Sequence, residues 1–312
     1  MDYRTLGHSG ITVSALSLGS WMTYESMAEA DALAVIRAGL DAGITFLDDA
    51  RYDDRTGTAP LTTGYSEVLF GRLLRDTGSR RADLVIANKL WFEFFPRESI
   101  EAELDGSLSR LQVDYLDIEF CADPPPTLPM LDLVRELDRV IASGKLRAWG
   151  VLNWPVEKIE EAVNVAAANG LRGPSAAQLA YSVLTPSPVE DPRMTQVCAG
   201  AGIGVVASYS LNGGLLSGKY RSADGAAGGR LAGQLDSPRV RPLLPKIDPF
   251  LQIAREVGCS PSQLALAYCL KNPQVSSLLF GARAVAQGQD NAGALAGVPR
   301  LTDAVMAALR SL

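Results

Sequence analysis

The stretch Gly43-Ile44-Thr45-Phe46-Leu47-Asp48-Asp49-Ala50 is a short apolar run that ends in two carboxylates. It lies between two segments, 28–42 and 66–75, whose apolar residues recur at helical spacing. That spacing gives a helix one buried face, whereas a brief unbroken apolar run suits a strand covered on both sides. The unit is therefore helix, buried strand, helix, and it repeats. Apolar runs at 16–18, 45–47, 84–87, 115–120, 146–151, 176–179, 205–207 and 277–280 make eight, and helical patterns recur at 97–111 and 131–143. Alternating strands and helices imply a parallel sheet. Eight such units in 312 residues favour a closed (β/α)8 TIM barrel over an open sheet. Residues 3–13 read as a preceding β-hairpin that turns at His8-Ser9-Gly10.

Nothing divides the chain, so residues 1–312 are expected to form one domain. Hydrophobic residues make up 47%, enough for a large core and too many for disorder. A formal charge of -6 argues against nucleic acid or an anionic membrane as the main partner. The four cysteines form no CxxC pair and the single histidine is His8, so no structural zinc or iron–sulfur site is expected. With no signal-peptide pattern and no apolar run of about 18 residues, the reading is a reduced cytoplasmic protein.

Two irregular stretches break the pattern. Residues 51–63 follow the second strand, and residues 221–245 are rich in Gly, Ala, Arg and Pro. Loops after barrel strands build the active face, and long loops in compact domains often cover a site. Ser17-Leu18-Gly19-Ser20-Trp21 has one glycine after a strand and lacks the spacing of a GxGxxG fingerprint. Any nucleotide phosphates must be held by another device.

Nine stretches in order, LSLGSW (16–21), GITFLDDA (43–50), GYSEVLFGRLL (64–74), LVIANK (84–89), SLSRLQVDYLDI (107–118), GKLRAWGVLNW (144–154), AAQLAYSVL (176–184), NGGLLSGKY (212–220) and FGARAVAQGQDN (280–291), resemble the aldo-keto reductase family. The nearest flavour is the group containing the potassium-channel beta subunits. The resemblance implies a barrel that binds extended NADPH at the C-terminal face and reduces a small-molecule carbonyl, or oxidises the alcohol. It places Gly19, Ser20 and Trp21 beside the nicotinamide ribose, Asn153 and Gln178 at the carboxamide, and Ser208 or Tyr209 at the nicotinamide ring. Lys219 falls on the pyrophosphate side. Gly281, Arg283, Gln287, Asp290 and Asn291 fall around the adenosine and its 2′-phosphate. On the residues alone, Arg283 opens a helix and so suits a phosphate, though it also suits a solvated surface. Asn153 also reads as a turn residue.

The resemblance further implies a tetrad of Asp, Tyr, Lys and His, in which lysine lowers the pKa of a proton-donating tyrosine. Asp48 and Lys89 each close an apolar strand and fit; a purely structural ion pair is the alternative. Tyr52 is one residue early, since Asp53 holds the expected position and an insertion, 54–63, follows. Either a bulge returns Tyr52 to the site, or Tyr24 or Tyr65 serves, or Tyr52 is a packing aromatic. Ala122 stands where the histidine belongs, and Leu152 where a serine is common. His8, in the hairpin, is expected at the opposite end. Residues 48–54 gather four carboxylates, Arg51 and Tyr52. Tyr24, Arg51 and Asp53 are thus candidates for substrate contact, with a solvated charged loop as the plainer reading. Three functions stay open: NADP(H)-dependent carbonyl reduction, non-redox acid/base chemistry on the same barrel, and a cofactor-sensing binding subunit. Oligomeric state is open too, with a homo-oligomer compatible.

Overall fold

Strands that are apolar on both faces must be covered on both, and closing the sheet does so. The computed structural model describes residues 1–221 and 229–312. It begins with an antiparallel hairpin of β1 (Tyr3–Thr5) and β2 (Thr12–Ser14). Eight parallel strands follow: β3 (Leu16–Gly19), β4 (Phe46–Asp48), β5 (Val85–Leu90), β6 (Leu116–Cys121), β7 (Leu146–Leu152), β8 (Ala176–Ala180), β9 (Gly204–Ser208) and β10 (Val275–Phe280). They close in chain order, with β10 pairing β3, into a (β/α)8 TIM barrel. The expected runs all fall on these strands.

Side chains alternate across a strand, so each strand serves two cores. Phe46, Ala87, Ile118, Phe120, Ala148, Ala176 and Val206 fill the barrel interior. Leu47, Ile86, Cys121, Val151 and Leu179 point outward to the helices. The hairpin plugs the N-terminal mouth by adding Leu6, Ile11 and Val13 to the interior layer. Gly7 makes that plug fit: at φ +52° it lies so close to Ser175 that a Cβ would sit 2.1 Å from the carbonyl oxygen. His8 is at this end, its Nδ1 3.1 Å from the Ala201 carbonyl, far from any loop that follows a barrel strand.

Backbone strain gathers at the other mouth. Among the described residues, six non-glycine residues have φ between +47° and +60°. Five of them, Met22, Phe92, Asn153, Tyr209 and Asn212, sit in the loops after β3, β5, β7 and β9. Such conformations persist only where their surroundings fix them, and they concentrate at functional sites. The expected long loop 221–245 lies partly outside the described residues; its last part, Arg241–Lys246, is a 3-10 turn.

Candidate active site

Two residues beyond an interior apolar residue, the same strand presents its next inward side chain. Asp48 is two past Phe46, Lys89 two past Ala87, Gln178 two past Ala176 and Ser208 two past Val206. Periodicity alone therefore brings these polar groups to the floor of the C-terminal mouth. They line a cavity of about 1180 Å³.

The Lys89 ammonium donates to Asp48 Oδ1, with both side chains almost wholly buried. It also reaches the Asp49 carbonyl at 3.4 Å and lies 5.3 Å from the centre of the Phe120 ring. Gln178 Nε2 donates to the same Asp48 oxygen at 3.1 Å. Burial pushes the Asp48 carboxyl up, against the downward pull of the Lys89 charge and the two hydrogen bonds.

Tyr52 lines the cavity with Asp48 and Lys89. The insertion does not displace it because the insertion closes on itself. Asp53 bridges Thr63, Asp54 N donates to Thr62 O at 2.8 Å, and Gly64 N donates to Tyr52 O at 2.9 Å. Ser66 then pins the entry: its hydroxyl donates to Ala50 O at 2.6 Å and accepts from Tyr52 N at 3.1 Å. The expected lowering of the tyrosine pKa is reversed. Burial, then the Asp48 and Asp49 charges, hold the Tyr52 hydroxyl well above its ordinary value, against the downward pull of Arg230. Tyr52 is thus a proton-holding acid at neutral pH.

Two expected residues lie elsewhere. Tyr24 is buried in the outer core, stacked 6.2 Å from Phe70. Ser20 turns outward and its hydroxyl donates to Asp49 Oδ1, since Asp49 follows Asp48 and so faces the opposite side of the wall. Tyr65 starts the helix Tyr65–Thr77, where its hydroxyl accepts from Arg72 at 3.2 Å. Ala122 is not among the residues lining the cavity; its carbonyl accepts from Trp154 Nε1 at 2.9 Å. Arg51 and Asp53 do line it. Arg51 is held by Glu93 at 2.9 Å and by the face of Phe94 at 4.7 Å.

The remaining expected residues spread along the same cavity. Gly19, Trp21, Asn153, Tyr209 and Lys219 line it, as do Gly281, Arg283, Gln287, Asp290 and Asn291. Asn153 Oδ1 accepts from Ala180 N at 2.8 Å, which fixes the side chain at a φ of +53°. Gln287 Oε1 accepts from Arg283 N at 2.9 Å, and the Arg283 guanidinium donates to Met22 O at 3.0 Å. The Asp290 carboxylate accepts from Ser260 Oγ at 2.8 Å and Gln263 Nε2 at 3.0 Å. It thereby ties its helix to the capped start of the helix Pro261–Lys271.

Three arginines that line the cavity, Arg55, Arg230 and Arg239, escaped the sequence reading, and the last two reach its aromatic residues. Arg230 lies 4.7 Å over the Trp21 ring and donates to Trp21 O at 2.9 Å. Arg239 lies 5.5 Å over the Tyr209 ring and donates to its hydroxyl at 3.1 Å. Both come from the aperiodic stretch 221–245. Their signal was positive charge within a glycine-rich loop. Arg230 crowds with Lys219 and Arg283 in this cavity, and its charge also reaches Tyr52. Burial, then Arg283 and Arg230, holds the Lys219 ammonium below its ordinary value. Burial, with Arg283 adding to it, does the same to Arg230. Crowded cations of this kind favour an anionic ligand. Glycines let these side chains pack close: Gly213 and Gly214 have φ of +67° and +96°, and a Cβ on Gly214 would lie 2.6 Å from the Lys219 side chain.

Asp48, Lys89 and Tyr52 thus line one cavity at the C-terminal mouth of a (β/α)8 barrel, and sequence comparison gives the family of that barrel. The aldo/keto reductase family model matches residues 15–312, and the chain belongs to that family, whose members typically use nicotinamide cofactors. It is similar to a "Probable voltage-gated potassium channel subunit beta" of Oryza sativa subsp. japonica, at 34% identity over 98% of this chain and 94% of the relative. A protein of Arabidopsis thaliana with the same description is 31% identical over the same shares.

Proposed function

We propose that the protein is an NADP(H)-dependent oxidoreductase that reduces an aldehyde or ketone, or oxidises the corresponding alcohol. The observation that carries this reading is the polarity of the one cavity. Lys219, Arg230 and Arg283 crowd together in it, and Tyr52 shares its floor with the Lys89–Asp48 pair.

The residues fit a dinucleotide in that orientation. Arg283, at the start of the helix Val285–Ala292, with Gln287 and Asn291, would take the adenosine phosphate end. Lys219 and Arg230 would take the pyrophosphate. Asn153 retains a free amide nitrogen for the carboxamide. Tyr209, or Ser208 before it, faces the ring position. When bound, the cofactor supplies or accepts the hydride at the substrate carbon.

The protein's own part is the proton. The Tyr52 hydroxyl gives its proton to the carbonyl oxygen as that carbon is reduced, leaving a phenolate that recovers a proton from water. The high proton affinity of Tyr52 keeps it loaded beforehand, and the Lys89 ammonium counters the phenolate charge as it forms. Asp48 and Gln178 hold Lys89 in position. The test mixes protein, NADPH and a panel of aldehydes and ketones and follows the absorbance of reduced nicotinamide. One NADPH consumed per carbonyl reduced supports the reading. Product without cofactor consumption would establish the non-redox alternative instead.

The relatives' descriptions as potassium-channel subunits favour a second reading, in which a partner protein senses cofactor occupancy. Co-purification of a partner whose binding differs between NADP+ and NADPH would support it.

A further inference from the structure

The cations that line the cavity are not all accounted for by the wall and the cofactor. Lys89 is neutralised by Asp48, and Arg51 is held by Glu93 at 2.9 Å. Lys219, Arg230 and Arg283 suit the phosphates of the cofactor, and Arg239 donates to the Tyr209 hydroxyl at 3.1 Å. Arg55 is left. It is exposed, it lines the same cavity, and its guanidinium rests on Met22 Sδ at 4.0 Å. Among the described residues it meets no carboxylate at ion-pair distance. A cation of this kind on a cavity wall attracts an anion.

The fold puts Arg55 on the Tyr52 side of the mouth. Gly64 N donates to Tyr52 O, Asp53 bridges Thr63, and Asp54 N donates to Thr62 O. The excursion therefore rises from Tyr52 as a short ladder, and Arg55 follows its last rung. Three residues of chain span at most about 11 Å, so the two side chains start close together. The turn beyond is tied down by Asp54, whose carboxylate accepts from Thr56 N at 2.7 Å and Ala59 N at 3.2 Å. That carboxylate is engaged by its own loop. Met22 gives a second bearing on the position. Arg283 donates to Met22 O at 3.0 Å and Arg230 to Trp21 O at 2.9 Å, so Arg55 meets the phosphate-side cations at one two-residue segment. Trp21 in that segment is 38% exposed and also lines the cavity, which adds an apolar surface. The competing charge is Asp53, a lining residue that would favour a cation instead.

We infer that Arg55 determines specificity by binding the carboxylate of the substrate, so that the substrate class is an aldehyde or ketone that carries a carboxylate on an apolar spacer. The reacting oxygen lies at Tyr52, the spacer on Trp21 and the carboxylate at Arg55. A guanidinium matches a carboxylate as a planar fork, with two N–H groups donating to two oxygens. The assignment rests on the reductase reading. Arg55 selects and orients, and takes no part in the transfer of proton or hydride.

The test compares kcat and KM, with NADPH, for three aldehydes of one shape: 4-carboxybenzaldehyde, its neutral analogue 4-formylbenzamide, and the cationic 4-(trimethylammonio)benzaldehyde. Succinic semialdehyde against butanal repeats the comparison on a flexible spacer. The unaltered protein should favour each acid over its neutral partner by about 10-fold in kcat/KM, the low end for a charged hydrogen bond because the site is exposed. The preference should lie in KM and shrink as salt rises from about 0.05 to 0.5 M. Arg55→Gln should reduce the acid-to-amide ratio to near one, Arg55→Lys should keep part of it, and Arg55→Glu should invert it. NADPH affinity by calorimetry should change less than about threefold in all three variants, which also reports that they are folded. An unaltered protein that prefers the amide or the ammonium compound, or an NADPH-binding Arg55→Gln protein with the ratio unchanged, would overturn the inference and leave the reductase reading standing. No NADPH oxidation by the unaltered protein with any of these carbonyls would overturn both.

Discussion

Lys89→Met separates the two charges that the barrel floor holds together. Both side chains of the Lys89–Asp48 pair are about 3% exposed, so the substitution leaves a buried carboxylate whose remaining side-chain partner is Gln178. Removing one partner of such a pair costs about 3–5 kcal/mol. At about 2 °C per kcal/mol for a chain of this size, the melting temperature should fall by roughly 6–10 °C at pH 7. The loss should also depend on pH. Burial already raises the Asp48 carboxyl, and Lys89 supplies the opposing pull. Without Lys89 the folded-state pKa rises further above the unfolded value of about 3.9. A carboxyl raised in this way binds its proton more tightly in the folded state. The deficit is therefore largest above the folded pKa and shrinks as pH falls toward about 4. Adding Asp48→Asn removes the stranded charge, and the double variant should recover to within about 1–2 kcal/mol of the parent. Urea unfolding at pH 7 and at about pH 4.5 measures both effects. A Lys89→Met protein as stable as the double variant at pH 7, or equally destabilised at both pH values, would refute the account of the pair.

Tyr52→Phe should reduce carbonyl turnover by about 10²–10⁴-fold, the usual weight of a positioned general acid, with NADPH affinity by calorimetry unchanged. Because burial and two carboxylates raise the Tyr52 hydroxyl, the parent kcat should show no loss of this acid between about pH 7 and 10, and should fall only above that. Arg283→Ala should weaken NADPH binding about 10- to 100-fold and NADH less than about threefold, since a charged hydrogen-bonded contact is worth about 1.5–3 kcal/mol. Equal losses for both cofactors would place the 2′-phosphate elsewhere. Gly71→Ala should destabilise the fold by about 1–3 kcal/mol or more without changing KM. Its Cβ would sit 2.2 Å from the Leu111 carbonyl oxygen, where the helices Tyr65–Thr77 and Ile100–Leu111 touch.

The barrel was legible because buried parallel strands leave continuous apolar runs, and because polar residues two past an interior residue must face the same mouth. Asp48, Lys89 and Gln178 could be read that way. Tyr52 could not, because its place depends on a backbone excursion closing between Asp53 and Thr63, a long-range pairing with no periodic signature. The direction of its pKa was hidden for a related reason: it follows from how deeply the fold buries Tyr52 beside Asp48 and Asp49. Ser20 and Tyr24 were misplaced by one alternation and by a preference for the outer core. Arg230 and Arg239 lie where periodicity fails, so only their charge marked them.

The central claim is that one cavity joins a cationic phosphate end to a proton-donating floor. A crystal structure with NADP+ and a slowly turned-over carbonyl compound tests it most directly. The account predicts the 2′-phosphate at Arg283. It also predicts the nicotinamide with its hydride-donating carbon within about 3–4 Å of the substrate carbon, and the substrate oxygen within hydrogen-bonding reach of Tyr52. A cofactor bound in the opposite sense, or a substrate oxygen out of reach of Tyr52, would contradict it.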